Sequence, residues 1–479
     1  MNKGTIINNL GKIIMVEAVL MIPSLIISLA YGENEDAFGF LITIIPALVL
    51  AFLCTRVKGG KLGPKDGYFI VASAWIIISL IGAVPLYMSD AFSSYIAALF
   101  EIVSGFTTTG ASVLADPGVL GHGVQFFRCF SHWIGGMGVL VFVLMIMPME
   151  NDSSMHLVRA EVPGPIAGKI VPKMSVTSRI LYGIYAGITV ILIILLKIFK
   201  MPLFDACCYA FATTGTGGFS INSAGLGLYE NSVAIEYIIS IFMLLCGVNF
   251  NIYYLILLGK LREVFKSEEL KVYFGIVLAA VTMVSFDIFK MAGSFGNTVR
   301  LSLFQVSSII TTTGFATADF SLWPQFSQHV LVLLMIIGAC AGSTAGGMKI
   351  SRVIILWKSF IAEIKSIINP RQIVTVRINR QVVPERTLQS TRIYASAYLL
   401  IVCLSVLILS LNELDFTTNV TAVLACFNNI GPGLSLVGPM SNFSVFSDPA
   451  KLWLSIIMLT GRLEIFPMFL LFAKSAHEK

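Results

Sequence analysis

The stretch LFEIVSGFTTTGAS (residues 99–112) is an apolar segment that ends in three threonines and a glycine, and LFQVSSIITTTGFA (303–316) has nearly the same order. Two weaker copies, DACCYAFATTGTGG (205–218) and VTAVLACFNNIGPG (420–433), keep only the apolar run and its glycine-rich end. A single copy of such an element would indicate close helix packing by small residues. Four copies along one chain indicate a structural repeat instead.

The composition requires lipid as the surroundings of most of the chain. Of its 479 residues, 56% are hydrophobic and only 12% are charged. We expect ten membrane spans, since an apolar run of about 20 residues is needed to cross the hydrocarbon core. They lie near residues 10–30, 38–54, 68–88, 126–148, 178–200, 233–258, 272–292, 328–357, 393–411 and 450–473.

The basic residues favour one orientation in the membrane. The net charge is +6, and most of the 32 lysines and arginines fall at the termini or in alternate connections between the predicted spans. Because connections rich in lysine and arginine stay on the cytoplasmic side, both termini are predicted to be cytoplasmic in a multi-pass protein of the cell (inner or plasma) membrane.

The four repeated elements lie in the opposite, outer connections and are too short to cross a membrane. They are predicted to form re-entrant helices at residues 91–109, 204–217, 298–313 and 417–430. A helix that ends at mid-membrane leaves its last carbonyls unpaired, and its partly negative end favours a cation. Irregular backbone persists there only where it lines a cavity or is buried in protein. Four such segments around one axis form carbonyl rings that can replace the hydration shell of a cation.

The fold class expected is therefore an all-α polytopic membrane protein. Two N-terminal transmembrane helices precede four pseudo-symmetric membrane–pore–membrane repeats, with ten spans and four re-entrant pore helices around a central ion pore. The expected divisions are residues 1–66 for the two extra helices and 67–150, 151–265, 266–387 and 388–479 for repeats 1 to 4, with a gating loop and a basic cytoplasmic segment in repeat 3.

Several segments together resemble the Trk/Ktr/HKT superfamily of potassium transporters, and within it the TrkH-type potassium uptake subunits of bacteria. They cover much of the chain after residue 90, and the two extra N-terminal spans also fit the TrkH type. The segments are FEIVSGFTTTGAS (100–112), HWIGGMGVLVFVLMIMP (132–148), GGFS (217–220), TTTGFATADFS (311–321), NNIGPGLSLVGP (428–439) and GRLEIFP (461–467).

The resemblance implies a homodimer and a cytosolic regulatory subunit, TrkA-like, that binds the nucleotide; this chain itself would hold no cofactor, and potassium would be its substrate. The resemblance implies a selectivity filter that binds potassium, the only metal expected. Each of the four repeats would contribute one glycine to this filter, and in the fourth repeat it is either Gly431 or Gly433. Serine in place of the first filter glycine accompanies sodium transport in plant relatives, so Gly110 favours potassium. The filter residues implied are Thr108, Thr109, Gly110, Thr216, Gly217, Gly218, Thr312, Thr313, Gly314, Gly431, Pro432 and Gly433.

The segment GACAGSTAGGMK (338–349) is rich in glycine and alanine and forms a poor helix. It is either a site of tight helix packing or, as the resemblance implies and as we prefer, a mobile loop that blocks the pore. Its gating residues would be Gly338, Gly342, Ser343, Thr344, Gly346, Gly347 and Lys349, whose charge should face the cavity or the cytoplasm.

Arg462 lies within the last predicted span, where a charge is costly and usually has a partner. One possible role is a buried ion pair, with Glu101 as a candidate partner. The other, which the resemblance implies, is a cationic barrier beneath the filter, and Arg462 can have both roles at once.

Other classes fit less well. An enzyme would need paired carboxylates or a nucleophile with its base inside the spans, and a carrier with alternating access would show inverted repeats, so a non-enzymatic transporter is predicted. The alternative within the fold is a sodium-permeable protein or a potassium symporter coupled to protons or sodium. The basic segment 349–392 is predicted to contact anionic membrane lipid or the regulatory subunit, and no nucleic acid is expected as a partner.

Overall fold

The computed structural model describes residues 2–60, 63–138, 174–372 and 374–472, and their regular structure is almost entirely helical. One small antiparallel hairpin, β1 (Arg377–Ile378) with β2 (Gln381–Val382), is the exception within those ranges. The helices are α1 (Lys3–Leu20), α2 (Ile22–Tyr31), α3 (Asn34–Thr55), α4 (Pro64–Met88), α5 (Tyr95–Phe106), α6 (His122–Gly136), α7 (Met174–Ile198), α8 (Leu203–Thr214), α9 (Ser232–Cys246), α10 (Phe250–Leu257), α11 (Leu261–Lys266), α12 (Glu268–Ala292), α13 (Phe295–Ile310), α14 (Gln325–Ile337), α15 (Ile350–Ile368), α16 (Glu385–Leu409), α17 (Phe416–Phe427), α18 (Asp448–Arg462) and α19 (Phe466–Phe472).

Several helices are long and apolar enough to cross a membrane, so the chain is a multi-pass membrane protein. In the described ranges six segments meet this condition by length and composition, and a bent pair makes a seventh. The six are Lys3–Tyr31, Asn34–Thr55, Asp66–Met88, Ser178–Ile198, Glu268–Ala292 and Glu385–Asn412.

Three of the ten predicted spans are not continuous helices, and the sequence had predicted a loop in only one of them, at 328–357. The span predicted at 233–258 is α9 and α10, which meet at an angle of 91°. The span at 328–357 is α14 and α15 with a non-helical loop between them, and that at 450–473 is α18 and α19 with a break between them. A glycine lies at or beside each of these three breaks, where the absence of a side chain allows the backbone to leave the helical conformation. Gly338 has φ of 69° and ψ of −163°, a conformation that strongly favours glycine. Of the span at 126–148, residues 139–148 lie outside the described part.

Four short apolar helices, α5, α8, α13 and α17, occupy the places of the predicted re-entrant elements. They begin with side-chain caps at Ser94, Ser294 and Asp415, or directly after Pro202. α5 and α17 are buried around most of their surface, as expected of helices enclosed by protein. The boundaries differ from the prediction by a few residues, because the final threonines and asparagines lie beyond the last helical turn.

Each short helix packs against two other helices, one before it in the cycle of repeats and one after it. α8 contacts α6 and α9, α13 contacts α9 and α14, and α17 contacts α14 and α18. The cycle closes because α5 contacts α18 as well as α6. The four units therefore surround a common centre.

The N-terminal helices join this assembly at the start of α6. Backbone N–H groups of His122 and Gly123 donate to the Glu33 carboxylate at 2.7 and 3.1 Å, and the ring of Tyr31 stacks on that of His122 with centroids 3.8 Å apart. Burial acts to raise the pKa of Glu33, but these hydrogen bonds outweigh it and hold the pKa below its ordinary value. The contact is therefore strongest with Glu33 ionised and weakens as the pH falls through that lowered pKa.

The close approach of broken and short helices requires glycine, which gives a test of the packing. A β-carbon on Gly461 would lie 1.9 Å from the carbonyl oxygen of Phe427, whereas one on Gly187 in α7 would have no atom within 4 Å. Gly461→Ala should lower the free energy of unfolding by about 1–3 kcal/mol through overpacking. The control Gly187→Ala should leave it unchanged or raise it by up to about 1 kcal/mol. Thermal unfolding in detergent, followed by size-exclusion elution, measures both. Equal midpoints for the two variants would contradict this packing.

Candidate ion pore

The four short helices end in the same way, and this common end shapes the residues that follow. In each, the backbone N–H two residues beyond the C-cap returns to a carbonyl five positions earlier, the Schellman arrangement. The residue between has positive φ, which is unusual for threonine and asparagine. The bonds are Thr109 to Ser104, Gly217 to Ala212, Thr313 to Ser308 and Ile430 to Ala425, each 2.8 Å, and the positive-φ residues are Thr108, Thr216, Thr312 and Asn429.

We call residues 107–110, 215–218, 311–314 and 428–431 the ring segments. Each ends in a glycine with φ between 75° and 99° whose α-carbon faces a carbonyl of the next segment in the cycle. A β-carbon there would lie less than 3 Å from that oxygen, a clash that glycine avoids. The separations between the missing β-carbon and the oxygen are 1.9 Å for Gly110 with Gly217, 1.9 Å for Gly218 with Thr313, 1.9 Å for Gly314 with Ile430, and 2.8 Å for Gly431 with Thr109.

The segments therefore close into a ring in which each repeat touches the next and the fourth touches the first. The ring contains the carbonyl groups of residues 109, 217, 313 and 430 at its four junctions. It brings together the predicted residues of the first three repeats: Thr108, Thr109, Gly110, Thr216, Gly217, Gly218, Thr312, Thr313 and Gly314.

The fourth member of the ring is Gly431 and not Gly433. Gly431 has φ of 99°, whereas the N–H of Gly433 donates to the Val437 carbonyl at 2.7 Å and Gly433 lies against the Thr421 side chain. Pro432 and Gly433 follow the ring, and the residues that precede its glycine are Asn429 and Ile430. The sequence-based prediction missed Asn429 and Ile430 because the four copies were aligned at their last glycine, which is Gly433 in the fourth. Matching Asn428–Asn429 to the threonines of the first repeat would have identified them.

Side-chain hydrogen bonds brace three of the segments. The hydroxyls of Thr107 and Thr109 are 2.8 Å apart, and those of Thr311 and Thr313 form the same pair at the same distance. Asn429 Nδ2 donates to Thr109 Oγ1 at 3.0 Å, which ties the fourth segment to the first. All five side chains are buried.

On one side of the ring lies a cavity of about 350 Å³ lined by all four ring glycines and by the residues after them. Arg128 borders it and forms a buried ion pair with Glu101, with Nε and Oε1 2.6 Å apart. Glu101 also accepts from the Ser112 hydroxyl and the Val113 N–H, both at 2.9 Å, and Arg128 Nη1 donates to the Ser220 carbonyl at 2.8 Å. The pair therefore holds the chain segments just beyond the first and second ring segments. Sequence reasoning did not identify Arg128.

On the other side, residues 338–349 form a non-helical loop, as the glycine-rich composition predicted. Its contacts reach the ring and the bend between α9 and α10. Gly346 N donates to Thr312 Oγ1 at 2.7 Å, and a β-carbon on Gly346 would lie 2.2 Å from the Asn428 carbonyl oxygen. Cys340 N donates to the Gly247 carbonyl at 3.1 Å. The loop thus lies directly against the start of two ring segments.

The loop's own residues adopt conformations that a helix does not have. Gly338, Gly342 and Gly347 have φ near 70–77°, and Lys349 has φ of 76°. Ser343 Oγ donates to the Cys340 carbonyl at 2.6 Å, and Thr344 Oγ1 to that of Cys246 at 3.3 Å. Lys349 is only 2% exposed, and its ammonium group donates to the Ala345 carbonyl.

Arg462 at the end of α18 joins three repeats through backbone carbonyls. Its Nη1 donates to the Thr344 carbonyl at 3.1 Å, and its Nη2 to those of Gly135 and Gly136 at 2.5 and 2.7 Å. The suggested ion pair with Glu101 was wrong, because Glu101 binds Arg128. Glu464 forms its ion pair with Arg352. The guanidinium is thus held between the loop and the end of α6, where carbonyl dipoles compensate its charge.

Known proteins resemble this chain along its whole length. The model of the TrkH family, described as a cation transport protein, matches residues 34–479. The Trk system potassium uptake protein TrkG of Escherichia coli is 33% identical over 97% of this chain and 96% of its own length. TrkH of the same organism is 33% identical over 96% of both chains. The crystal structure of the potassium transporter TrkH from Vibrio parahaemolyticus superposes with a TM-score of 0.89 at 29% identity and covers both chains completely.

The likeness spans the whole chain rather than one motif, and it includes the ring, the loop and the N-terminal helices within a single matched length. The resemblance inferred from the repeated segments is thereby confirmed. This chain belongs to the TrkH family of cation transport proteins.

Proposed function

We propose that this protein carries potassium ions into the cell through the ring, which acts as a selectivity filter. The observation that supports this most is the closed contact between glycines and carbonyls of four successive repeats. Carbonyl oxygens arranged around an axis can replace the hydration shell of a potassium ion. The four short helices end at the ring, and each C-terminus is equivalent to roughly half a negative elementary charge. Both features favour a cation there.

In this proposal the short helices are re-entrant and enter from outside, and the broken helices count as spans, which gives ten spans with cytoplasmic termini. The cavity of about 350 Å³ then opens toward the exterior, and the loop and Arg462 lie on the cytoplasmic side. The names of the relatives support potassium as the ion, since they are called potassium uptake proteins.

The loop at 338–349 acts as the gate. It touches the ring segments of repeats 3 and 4, and Arg462 holds it to the end of α6. A cytosolic nucleotide-binding subunit would open it, and a homodimer would be the working unit. The exposed basic side chains near the β1–β2 hairpin, among them Arg377 and Arg380, provide positive charge for that subunit or for anionic lipid.

Selectivity at the ring can be tested at its first glycine. Gly110→Ser places an atom against the Gly217 carbonyl and should lower the potassium-to-sodium permeability ratio by about tenfold, equivalent to about 1.4 kcal/mol. The control Gly296→Ser lies where no atom is within 4 Å and should leave the ratio unchanged. Reversal potentials in planar bilayers measure it, and a pH or sodium gradient in the same cell detects coupled transport. A monodisperse Gly110→Ser protein with the wild-type ratio would contradict the placement of the filter.

The gate can be tested by shortening the loop. Deletion of residues 341–345 removes the Gly342 carbonyl that accepts from Phe250 N at 2.9 Å and the Thr344 carbonyl bound by Arg462. Rubidium uptake into liposomes, without any cytosolic subunit, should rise because the obstruction is shorter. If the purified deletion variant elutes normally and takes up rubidium at or below the wild-type rate, the segment serves packing only.

Arg462 should act on ion flux through both its charge and its hydrogen bonds. Arg462→Ala removes the cation and releases the loop, so flux should rise several-fold, whereas Arg462→Lys keeps the charge and should retain most of the barrier. Lys451→Ala, which removes a cation paired with Asp448 near the start of the same helix, should have no effect. Liposome flux and thermal midpoints measured together separate a barrier from a structural role. A stable Arg462→Ala protein with unchanged flux would exclude the barrier.

A further inference from the structure

The second ring segment lacks the side chains that brace the first and third. Threonine occupies the first and third positions of those two segments, and in each the two hydroxyls are 2.8 Å apart. The second segment has Gly215 and Gly217 at these positions. Its backbone nevertheless has the same turn, with φ of 54° at Thr216 and the same N–H bond from Gly217 to Ala212. The Thr216 hydroxyl donates to the adjacent Gly215 carbonyl at 2.7 Å, but no pair of side chains spans this segment as the threonine pairs span the first and third.

The imidazole of His132 fills the space beside Gly217. A β-carbon on Gly217 would lie 2.1 Å from His132 Cγ and 2.2 Å from Nδ1, so the ring occupies the place that a side chain at this position would take. The imidazole also packs on Phe219, with ring centroids 4.2 Å apart. His132 is fully buried.

His132 is itself fixed from the first repeat. Its Nδ1 is 2.8 Å from the Gly105 carbonyl oxygen near the end of α5. Because a carbonyl oxygen only accepts, Nδ1 carries the proton in this contact. The side chain thereby connects the last turn of the first short helix to the ring segment of the second repeat.

Two other residues on the same face of α6 as His132 also contact the second ring segment or the residues that follow it. Arg128, one turn earlier, binds the Ser220 carbonyl and covers the Phe219 ring with its Cζ 3.6 Å from the centroid. Gly136, one turn later, lies against Gly215, where a β-carbon would be 2.8 Å from the Gly215 α-carbon. Residues four apart share a helix face, so one face of α6 runs along the second segment from Ser220 back to Gly215.

We propose that His132 is a positioning residue for ion selectivity: its imidazole takes the place of the missing threonine side chain at Gly217 and holds the Gly217 carbonyl at its junction with Gly110. The inference rests on the proposed function, because it treats the ring as the filter. His132 thus determines the geometry of the ring from outside it, on a helix of a different repeat.

The test removes the imidazole of His132 and places a side chain on Gly217 in the space that the imidazole filled. His132→Ala empties the space, and Gly217→Thr forces a side chain into the imidazole. Each single variant should lower the potassium-to-sodium permeability ratio by roughly tenfold, equivalent to about 1.4 kcal/mol. Gly217 has no positive φ, so threonine is compatible with its backbone, as it is at Thr109 and Thr313. The double variant His132→Ala/Gly217→Thr gives the second segment the threonine of the first and third and should recover most of the ratio.

A matched control separates positioning from general loss of packing. Ile134→Ala removes a buried side chain from the same helix and should lower the thermal midpoint without changing the ratio. A wild-type ratio in folded His132→Ala, or a double variant no more selective than the single ones, would overturn the proposal. If the single variants fail to fold, recovery of a folded and selective double variant still supports it, and a double variant that is folded but unselective still overturns it.

Failure of this inference differs from failure of the proposed function. Wild-type protein and Gly110→Ser are measured in the same bilayers. If the wild type shows no preference for potassium, the ring is not the filter and both proposals fail. If the wild type is selective and Gly110→Ser changes the ratio but His132→Ala does not, only the role of His132 is excluded.

Discussion

The structure depends on one close contact, repeated four times: the α-carbon of a glycine with positive φ against a backbone carbonyl of the next repeat. At Gly110 the missing β-carbon leaves space for the Gly217 carbonyl oxygen, and the other three junctions follow the same rule. A side chain at any of these places would separate two repeats. The ring therefore requires that four distant parts of the chain end their helices at the same depth and with the same turn.

That requirement explains features that would otherwise be costly. The short helices stop inside the protein, and the Schellman bonds pair carbonyl groups at their ends. The threonine or asparagine at the second position of each ring segment has positive φ. This turn brings the glycine two residues later against the neighbouring repeat. The broken helices approach the ring closely through Gly247, Gly346 and Gly461, each of which has an atom within 3 Å of where a β-carbon would be. Their breaks provide the non-helical backbone of the loop and the position of Arg462.

The sequence predicts the repeat and most of the ring, because the relevant signal is local. The threonines before Gly110 and Gly314 lie directly after an apolar run that is too short to cross a membrane. The loop at 338–349 was also predictable, since its composition opposes a helix. By contrast, the breaks in the sixth and tenth predicted spans were missed. Leucine and isoleucine around Gly247 and Gly461 keep these spans apolar, and hydropathy does not report a bend.

A single sequence does not show which residues of different repeats contact each other. The assignment of Gly431 depends on which glycine meets Thr109, more than 300 residues away in the chain. The pairing of Glu101 with Arg128 rather than with Arg462 is decided by the packing of α6 on α5. His132 reads in sequence as an isolated histidine, and its place beside Gly217 follows only from the contact between two repeats.

We propose that carbonyl oxygens at the junctions of the ring bind potassium. This binding is tested most directly by anomalous X-ray diffraction from crystals in which rubidium or thallium replaces potassium. We expect an anomalous peak on the axis of the ring, among the carbonyl oxygens of residues 109, 217, 313 and 430. Peaks confined to other places, with none at the ring, would contradict it.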